Sequence, residues 1–169
     1  MKDSDEFSFL KETFKSLGNQ YFDSSEIIIG PGDDAGLVKN SQDTIYSVDA
    51  SVAGVHFPEN LAAEHAAYRS LSTAASDVVA CGGALKWALV SLTVSNTDLC
   101  WMQDFVKGVK DFSDEYCCPV LGGDLSKGKQ CNIAVTVCGQ LNQENFMKRS
   151  GARAVSYTHL TLPTTYHVV

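Results

Sequence analysis

A set of aspartates lies at four separate points of the chain, most of them at the predicted ends of strands and helices and two directly after glycine. They are Asp33-Asp34, Asp49, Asp77 and Asp124. A carboxylate beside glycine lies on backbone that can approach a ligand closely. Converging carboxylates repel an anion, but they can bind one through hard divalent cations, which take oxygen ligands and bridge to phosphates. Because no P-loop motif is present, the pattern predicts Mg²⁺-dependent nucleotide chemistry of another kind.

Composition limits the classes of partner. The chain has 169 residues, 44% of them hydrophobic, which suits one globular domain. Its formal net charge of -7 and the lack of a basic stripe argue against nucleic acid or a membrane surface as partner. No apolar run is long enough to span a bilayer, and the acidic start at Met1–Glu6 is unlike a signal peptide. The six cysteines lack metal-ligand spacing, so we expect reduced thiols in a cytoplasmic protein.

Strand and helix patterns alternate along residues 1–154. An N-terminal helix is predicted from the spacing of Phe7, Leu10, Phe14 and Leu17. A second helix is predicted over residues 60–80, with Gly82-Gly83 as its C-cap, and a third from about Thr97, with Thr97 as its N-cap. Predicted strands cover residues 26–29, 35–38, 44–52, 86–94, 119–121 and 131–139. This order is typical of an α/β sheet with helices packed on it.

The last fifteen residues differ from the rest of the chain. Val155–Val169 contain none of the 33 Asp, Glu, Lys and Arg residues. Residues 155–164 can be encoded by a DNA string that resembles a transposon-type sequencing-library adapter. We therefore expect residues 155–169 to be a non-native tail on the front part of a longer protein. A natural Thr-rich strand is the alternative.

The first two aspartate positions each allow two interpretations. Asp33-Asp34 follow glycines directly after a strand, and an ordinary polar turn explains them as well as a ligand site does. Asp49 interrupts a strand-like run, where simple alternation could also place a carboxylate in solvent.

Three further positions are candidates for binding. Asp77 follows a run of small residues that suggests close packing, and buried aspartates are rare unless paired or bound to metal. Asp124 follows two glycines after a predicted buried strand, which is the crevice position for ligands in α/β sheets, and Lys127 could meet a phosphate. His56 could orient a substrate or be a structural histidine between apolar neighbours.

Taken together, these segments resemble the N-terminal domain of the thiamine-monophosphate kinase family, part of the aminoimidazole ribonucleotide synthetase-like superfamily. The matching stretches come in family order and are residues 30–35, 47–57, 76–82, 121–124 and 149–152. The resemblance implies a mixed sheet of α+β type with helices on one face, and ATP-dependent phosphorylation of thiamine monophosphate to thiamine diphosphate. It also implies a missing C-terminal domain, so that this fragment would be inactive alone, and a homodimer in which two N-terminal sheets close into a barrel.

Site roles are implied by position in the family pattern. Several Mg²⁺ ions would be held by Asp34, Ser47, Asp49, Asp77 and Asp124. Because shared metals require it, we expect the four aspartates to converge on one face of the sheet. Gly123, Asp124 and Arg149 would contact ATP, and His56 would contact the substrate. Val48 stands where the family usually has threonine, which leaves the metal role of that position open.

Two alternatives stay open at this point. One is another ATP-using member of the superfamily, such as aminoimidazole ribonucleotide synthetase, selenophosphate synthetase or the hydrogenase-maturation dehydratase. The other is a non-catalytic domain kept for dimerisation or nucleotide binding.

Overall fold

The computed structural model describes residues 27–29, 37–38, 43–95, 98–141, 146–148 and 151, the first two ranges as backbone only. The predicted N-terminal helix, Asp34, Arg149 and the tail after Ala154 lie outside the described residues. In the described part, strands β1 (Ile27–Ile29) and β2 (Leu37–Val38) form a small antiparallel pair.

The main sheet has four strands in the order β3-β6-β4-β5. These are β3 (Thr44–Val52), β4 (Gly83–Val94), β5 (Val120–Lys127) and β6 (Asn132–Leu141). β6 pairs antiparallel with both β3 and β4, whereas β4 and β5 run parallel. The sheet is therefore mixed, as predicted, and among the described strands β3 and β5 lie at its two edges.

Two helices lie in the part of the chain that the structure describes. Helix α1 (Ala63–Ala80) contacts β3, β4 and β6, and helix α2 (Leu99–Tyr116) packs along α1. Small side chains of α1, among them Ala67 and Ala74, are fully buried and let the helices approach closely. At the crossing, a Cβ on Gly108 would overlap the Glu64 carbonyl oxygen, so only glycine fits there.

The two faces of the sheet have different surroundings. Ile45, Val90 and Val135 belong to the hydrophobic core beneath the helices, and we call their side the helix-covered face. Alternation along each strand turns the intervening residues to the opposite side, here called the open face. Large apolar side chains are exposed there: Tyr46 is 64% exposed, Val48 67% and Leu89 44%.

Element types and most boundaries agree with the sequence predictions, and three details were wrong. The C-cap of helix α1 is Cys81, and Gly83, which was predicted to be part of the cap, begins β4. Helix α2 is capped by Asp98, whose side chain accepts a hydrogen bond from the Cys100 amide; Thr97 lies outside the described residues. The strand predicted over residues 119–121 continues to Lys127, because its backbone pairs with β4 along that length. Of the helices in the described part, none is long and apolar enough to cross a membrane.

Candidate functional site

A hydrogen bond joins the edge strand β3 to the last turn of helix α1. The Ser47 hydroxyl donates to Asp77 Oδ2 at 2.9 Å. The two residues are 30 positions apart in sequence, and the contact exists because α1 lies across β3 on the helix-covered face. This bond fixes the direction of the Asp77 carboxylate at the edge of the sheet.

Asp49 lies on the same face as Ser47, two residues further along β3. Ser47 pairs with Val137 and Asp49 with Val135, and both valines are in the core beneath the helices. Laterally paired residues project to the same side of a sheet. The structure therefore places Ser47, Asp49 and Asp77 at one edge, as the sequence predicts for three of the candidates.

The expectation that Asp77 is closely packed was wrong. Asp77 and its neighbour Ser76 are exposed, while Ala74, Ala75 and Val78 are buried against the sheet. The small residues belong to the packed side of α1, and Asp77 lies on its solvent side. An exposed carboxylate that a serine orients is accessible to a ligand without a burial cost.

Asp124 lies on the open face, away from the other three residues. It pairs with Ser91, which stands between the buried core residues Val90 and Leu92, and its neighbour Leu125 packs against the core. Its Oδ2 accepts a hydrogen bond of 2.6 Å from the Ser126 hydroxyl. The expectation that all four aspartates meet on one face of a single chain is wrong for Asp124, and Asp34 is outside the described residues.

The separation between the two edges can be estimated from the strand order. One lateral row of the sheet runs Asp49, Val135, Val90, Gly123, and Asp124 follows Gly123 in the chain. Asp49 and Gly123 are therefore three strand spacings apart, which is roughly 14 Å. Gly123 itself is held tightly in this row, because a Cβ there would overlap the Val90 carbonyl oxygen.

A β-bulge explains why Asp124 changes face. Ala88 pairs with Val120 on the helix-covered face, but Leu89 pairs with Gly122, so Leu121 is an extra residue in β5. Without it, alternation from Val120 would place Asp124 on the same face as Asp49. The sequence does not predict the bulge; the two glycines before Asp124 are its only indication of an irregular strand.

His56 lies in the turn that follows β3. Its Nδ1 accepts a 3.0 Å hydrogen bond from the Val52 amide, and the residue is exposed. Because Nδ1 is the acceptor, the neutral ring carries its hydrogen on Nε2 and can donate to a ligand. The histidine is thus anchored to its own turn and accessible at the same time.

The donor set at the β3 edge suits a hard cation. Asp49, Asp77 and Ser47 offer only oxygen atoms, which Mg²⁺ prefers, and Mg²⁺ commonly uses one or two carboxylates together with water and substrate phosphates. Among the described residues, no group of three His, Cys, Asp or Glu side chains is arranged to hold a metal by itself. The edge therefore fits a cation that a bound phosphate helps to coordinate.

Two residues at the site were missed or differ from the expected pattern. Ser126 was missed as the partner of Asp124. It lies two residues further along the same strand, and this spacing would have indicated the contact if the predicted strand had continued past the glycines. Val48 pairs with Thr136 on the open face. A hydroxyl at position 48 would therefore point away from Asp49 and Asp77 of the same chain.

Comparison with known proteins agrees with this fold and this pattern. Residues 32–141 match the family described as AIR synthase related protein, N-terminal domain. Thiamine-monophosphate kinase of Aquifex aeolicus (strain VF5) is 36% identical over 124 residues, which are 72% of this chain and 40% of that protein. The predicted resemblance to thiamine-monophosphate kinases is confirmed.

Solved structures show the same relationship. The crystal structure of thiamine-monophosphate kinase from Stenotrophomonas maltophilia K279a aligns with a TM-score of 0.70 and 25% identity, covering 79% of this chain and 42% of that one. The structure of AaThiL complexed with AMPPCP and TMP aligns with a TM-score of 0.62 and 31% identity, covering 89% and 45%. The chain spans less than half the length of each of these relatives. By its family match and its fold, the chain belongs to the family of AIR synthase related proteins and corresponds to their N-terminal domain.

Proposed function

We propose that residues 1–154 are the ATP- and Mg²⁺-binding N-terminal domain of a cytoplasmic kinase that phosphorylates thiamine monophosphate to thiamine diphosphate. The observation that carries the proposal is the Ser47–Asp77 hydrogen bond beside Asp49, which gathers oxygen ligands at one accessible edge. It is supported by the similarity to thiamine-monophosphate kinases, one of them complexed with AMPPCP and TMP. In the proposal, a C-terminal domain completes the enzyme and residues 155–169 take no part.

The chemistry requires charge to be neutralised before two phosphates meet. Donor and acceptor are both anionic, and bound Mg²⁺ would supply the screening that lets one approach the other in line. Asp49 and Asp77 would hold the cations at the edge of the sheet, and Ser47 would keep the Asp77 carboxylate in position. Asp34 would add a further carboxylate ligand.

Other residues would bind the two substrates. The Nε2–H of His56 would donate to the acceptor, since Nδ1 is occupied by the Val52 amide. Gly123 would lie along the nucleotide and Arg149 would contact its phosphates. Each of these groups positions a reactant, and positioning carries much of the rate in phosphoryl transfer.

We also propose that two copies pair through the open faces of their sheets. The exposed Tyr46, Val48 and Leu89 support this, because a soluble monomer gains nothing from a row of large apolar side chains in water. Asp124 lies on that same face. In the proposed dimer it would therefore act in the contact between the two copies rather than beside Asp49 of its own chain.

The decisive experiment compares two carboxylate variants of the full-length kinase. Asp49→Asn removes one charge from the site at nearly constant shape, and Asp43→Asn removes one charge from an exposed position just before β3. An ATP-dependent assay for thiamine diphosphate should show turnover by the wild type and by Asp43→Asn, and at least a hundredfold loss in Asp49→Asn, as expected when an electrostatic group is removed from the reacting centre.

The same assay separates the alternatives. Activity of the wild type on another acceptor, with none on thiamine monophosphate, would move the assignment to a different member of the superfamily. Saturable ATP binding with no turnover of any acceptor would favour a non-catalytic domain. Full activity of Asp49→Asn would remove Asp49 from the mechanism.

A further inference from the structure

The turn that follows β3 is held by a side chain from a distant part of the chain. Gln130, in the turn between β5 and β6, donates a 2.7 Å hydrogen bond from Nε2 to the carbonyl oxygen of Ala53, 77 positions away in sequence. The neighbouring Cys131 carbonyl oxygen accepts a 3.0 Å hydrogen bond from the Ala53 amide. The β5–β6 turn therefore binds both backbone polar groups of Ala53, the first residue after β3.

The bond from Gln130 fixes more than one residue, because the Ala53 carbonyl and the Gly54 amide belong to the same peptide group. That group is planar, with its C=O and N–H pointing in opposite directions. The Gly54 amide donates to the carbonyl oxygen of Phe57 at 2.7 Å. Gln130 and Phe57 thus hold opposite sides of one peptide plane, and hydrogen bonds linked in this way strengthen one another.

His56 lies between two fixed points of this turn. On one side, its amide donates to the Val52 carbonyl oxygen at 2.8 Å and its Nδ1 accepts from the Val52 amide. On the other side, Phe57 is only 7% exposed and is bound to Gly54. A tilt of the peptide plane between Ala53 and Gly54 would move Phe57 and, with it, the backbone from which the His56 ring projects.

We propose that Gln130 is a positioning residue that acts through His56. Its amide keeps the peptide plane of the turn in one orientation, so that the Nε2–H of His56 is presented to the acceptor in one direction. Gln130 itself is exposed and needs no contact with the acceptor. Its hydrogen bond to Ala53 is partly buried and costly to break, so its loss should loosen the turn. The inference rests on the proposed function, in which His56 donates to thiamine monophosphate.

The first measurement tests the contact without requiring activity. Gln130→Met has a similar length and no charge, but it has no N–H to donate. Gln103→Met, at an exposed position of helix α2, is the matched control for the same substitution. Hydrogen exchange of the 169-residue chain, followed by NMR, should show the Gly54 amide exchanging about threefold to tenfold faster in Gln130→Met and at the wild-type rate in Gln103→Met.

The second measurement tests the positioning role in the proposed full-length kinase. Gln130→Met should raise the KM for thiamine monophosphate by about threefold to tenfold and leave kcat and the KM for ATP within about twofold of wild type. This split is expected because a contact made equally in the ground state and the transition state affects KM alone. General damage to the fold would instead lower kcat or raise both KM values.

A double-mutant cycle shows whether Gln130 acts through His56. In a His56→Ala background the ring that Gln130 positions is absent, so adding Gln130→Met should not raise the KM for thiamine monophosphate further. If Gln130 acted on the acceptor by another route, the effects of the two substitutions would multiply.

The outcomes separate this proposal from the proposed function. Unchanged exchange of the Gly54 amide in Gln130→Met would overturn the positioning role, with or without activity of the enzyme. Multiplying KM effects in the cycle, or equal changes in the two KM values, would overturn it while the wild type still phosphorylates thiamine monophosphate. A wild type that is inactive on thiamine monophosphate would overturn the proposed function, and with it the role of His56 that Gln130 serves.

Discussion

Ser47 donates a 2.9 Å hydrogen bond to Asp77 and thereby connects an edge strand to a helix end across 30 residues of sequence. The bond lies at an exposed place, so its contribution to stability is small. Its effect is instead on direction, since a carboxylate held by a neighbouring hydroxyl presents its second oxygen to a ligand in a defined way.

The first prediction removes that bond. In the proposed full-length kinase, Ser47→Ala should lower kcat/KM by about tenfold to a hundredfold and raise the Mg²⁺ concentration needed for half-maximal rate, as is typical of groups that orient metal ligands. Ser76→Ala is the control, because Ser76 donates to the Thr73 carbonyl and not to Asp77. Equal kinetics of Ser47→Ala and Ser76→Ala, over a series of Mg²⁺ concentrations, would show that the bond has no role.

The sequence predicted the face on which the β3 residues lie better than the face of Asp124 in β5, for a physical reason. The alternation in β3 is local, so the shared face of Ser47 and Asp49 follows from their spacing alone. The face of Asp124 depends on one extra residue in β5 and on parallel pairing with β4, a strand that precedes it by a whole helix. Such register is set by long-range contacts, which a pattern of residue types does not contain.

Exposure of Asp77 was unpredictable for a related reason. A helix with many small residues can bury more than one side, and the choice depends on what packs against it. Here α2 and the sheet cover Ala67, Ala74 and Val78, which leaves Asp77 in solvent.

The second prediction concerns the two glycines before Asp124. A Cβ on Gly123 would overlap the Val90 carbonyl oxygen, whereas nothing lies within 4 Å of a Cβ on Gly122. Gly123→Ala should therefore lower the free energy of unfolding by about 1–3 kcal/mol, since backbone cannot move aside as a flexible side chain can. Gly122→Ala should stay within about 0.5 kcal/mol of wild type.

Urea denaturation of the 169-residue chain measures both variants. Gly123→Ala with wild-type stability would mean that β5 does not approach β4 as closely as described. Loss of stability in both variants to the same extent would point to a general effect of alanine in this strand rather than to the Val90 contact.

The third prediction uses two adjacent cysteines with opposite environments. Cys117 is exposed, whereas Cys118 is fully buried, and burial raises the pKa of the Cys118 thiol to about 12. Only the thiolate reacts with iodoacetamide, so at pH 8 Cys117 should be alkylated about a hundredfold faster or more. Mass spectrometry of peptides from a timed labelling series gives both rates. In concentrated urea the two rates should become similar, and similar rates without urea would contradict the packing of Cys118.

The fourth prediction concerns the end of helix α2. Cys117 follows the helix with φ of 50° and ψ of 39°, a left-handed conformation that costs a residue with a Cβ more than it costs glycine. Cys117→Gly should therefore raise the free energy of unfolding by about 0.5–1 kcal/mol, because the relieved strain exceeds the added backbone entropy of the unfolded chain. The same substitution at Cys100, an exposed position in the first turn of α2, should lower it by a similar amount, since glycine is a poor helix former in ordinary helical backbone. The opposite signs are the test: urea midpoints that move in the same direction for Cys117→Gly and Cys100→Gly would show that the helix does not end in a left-handed residue at Cys117.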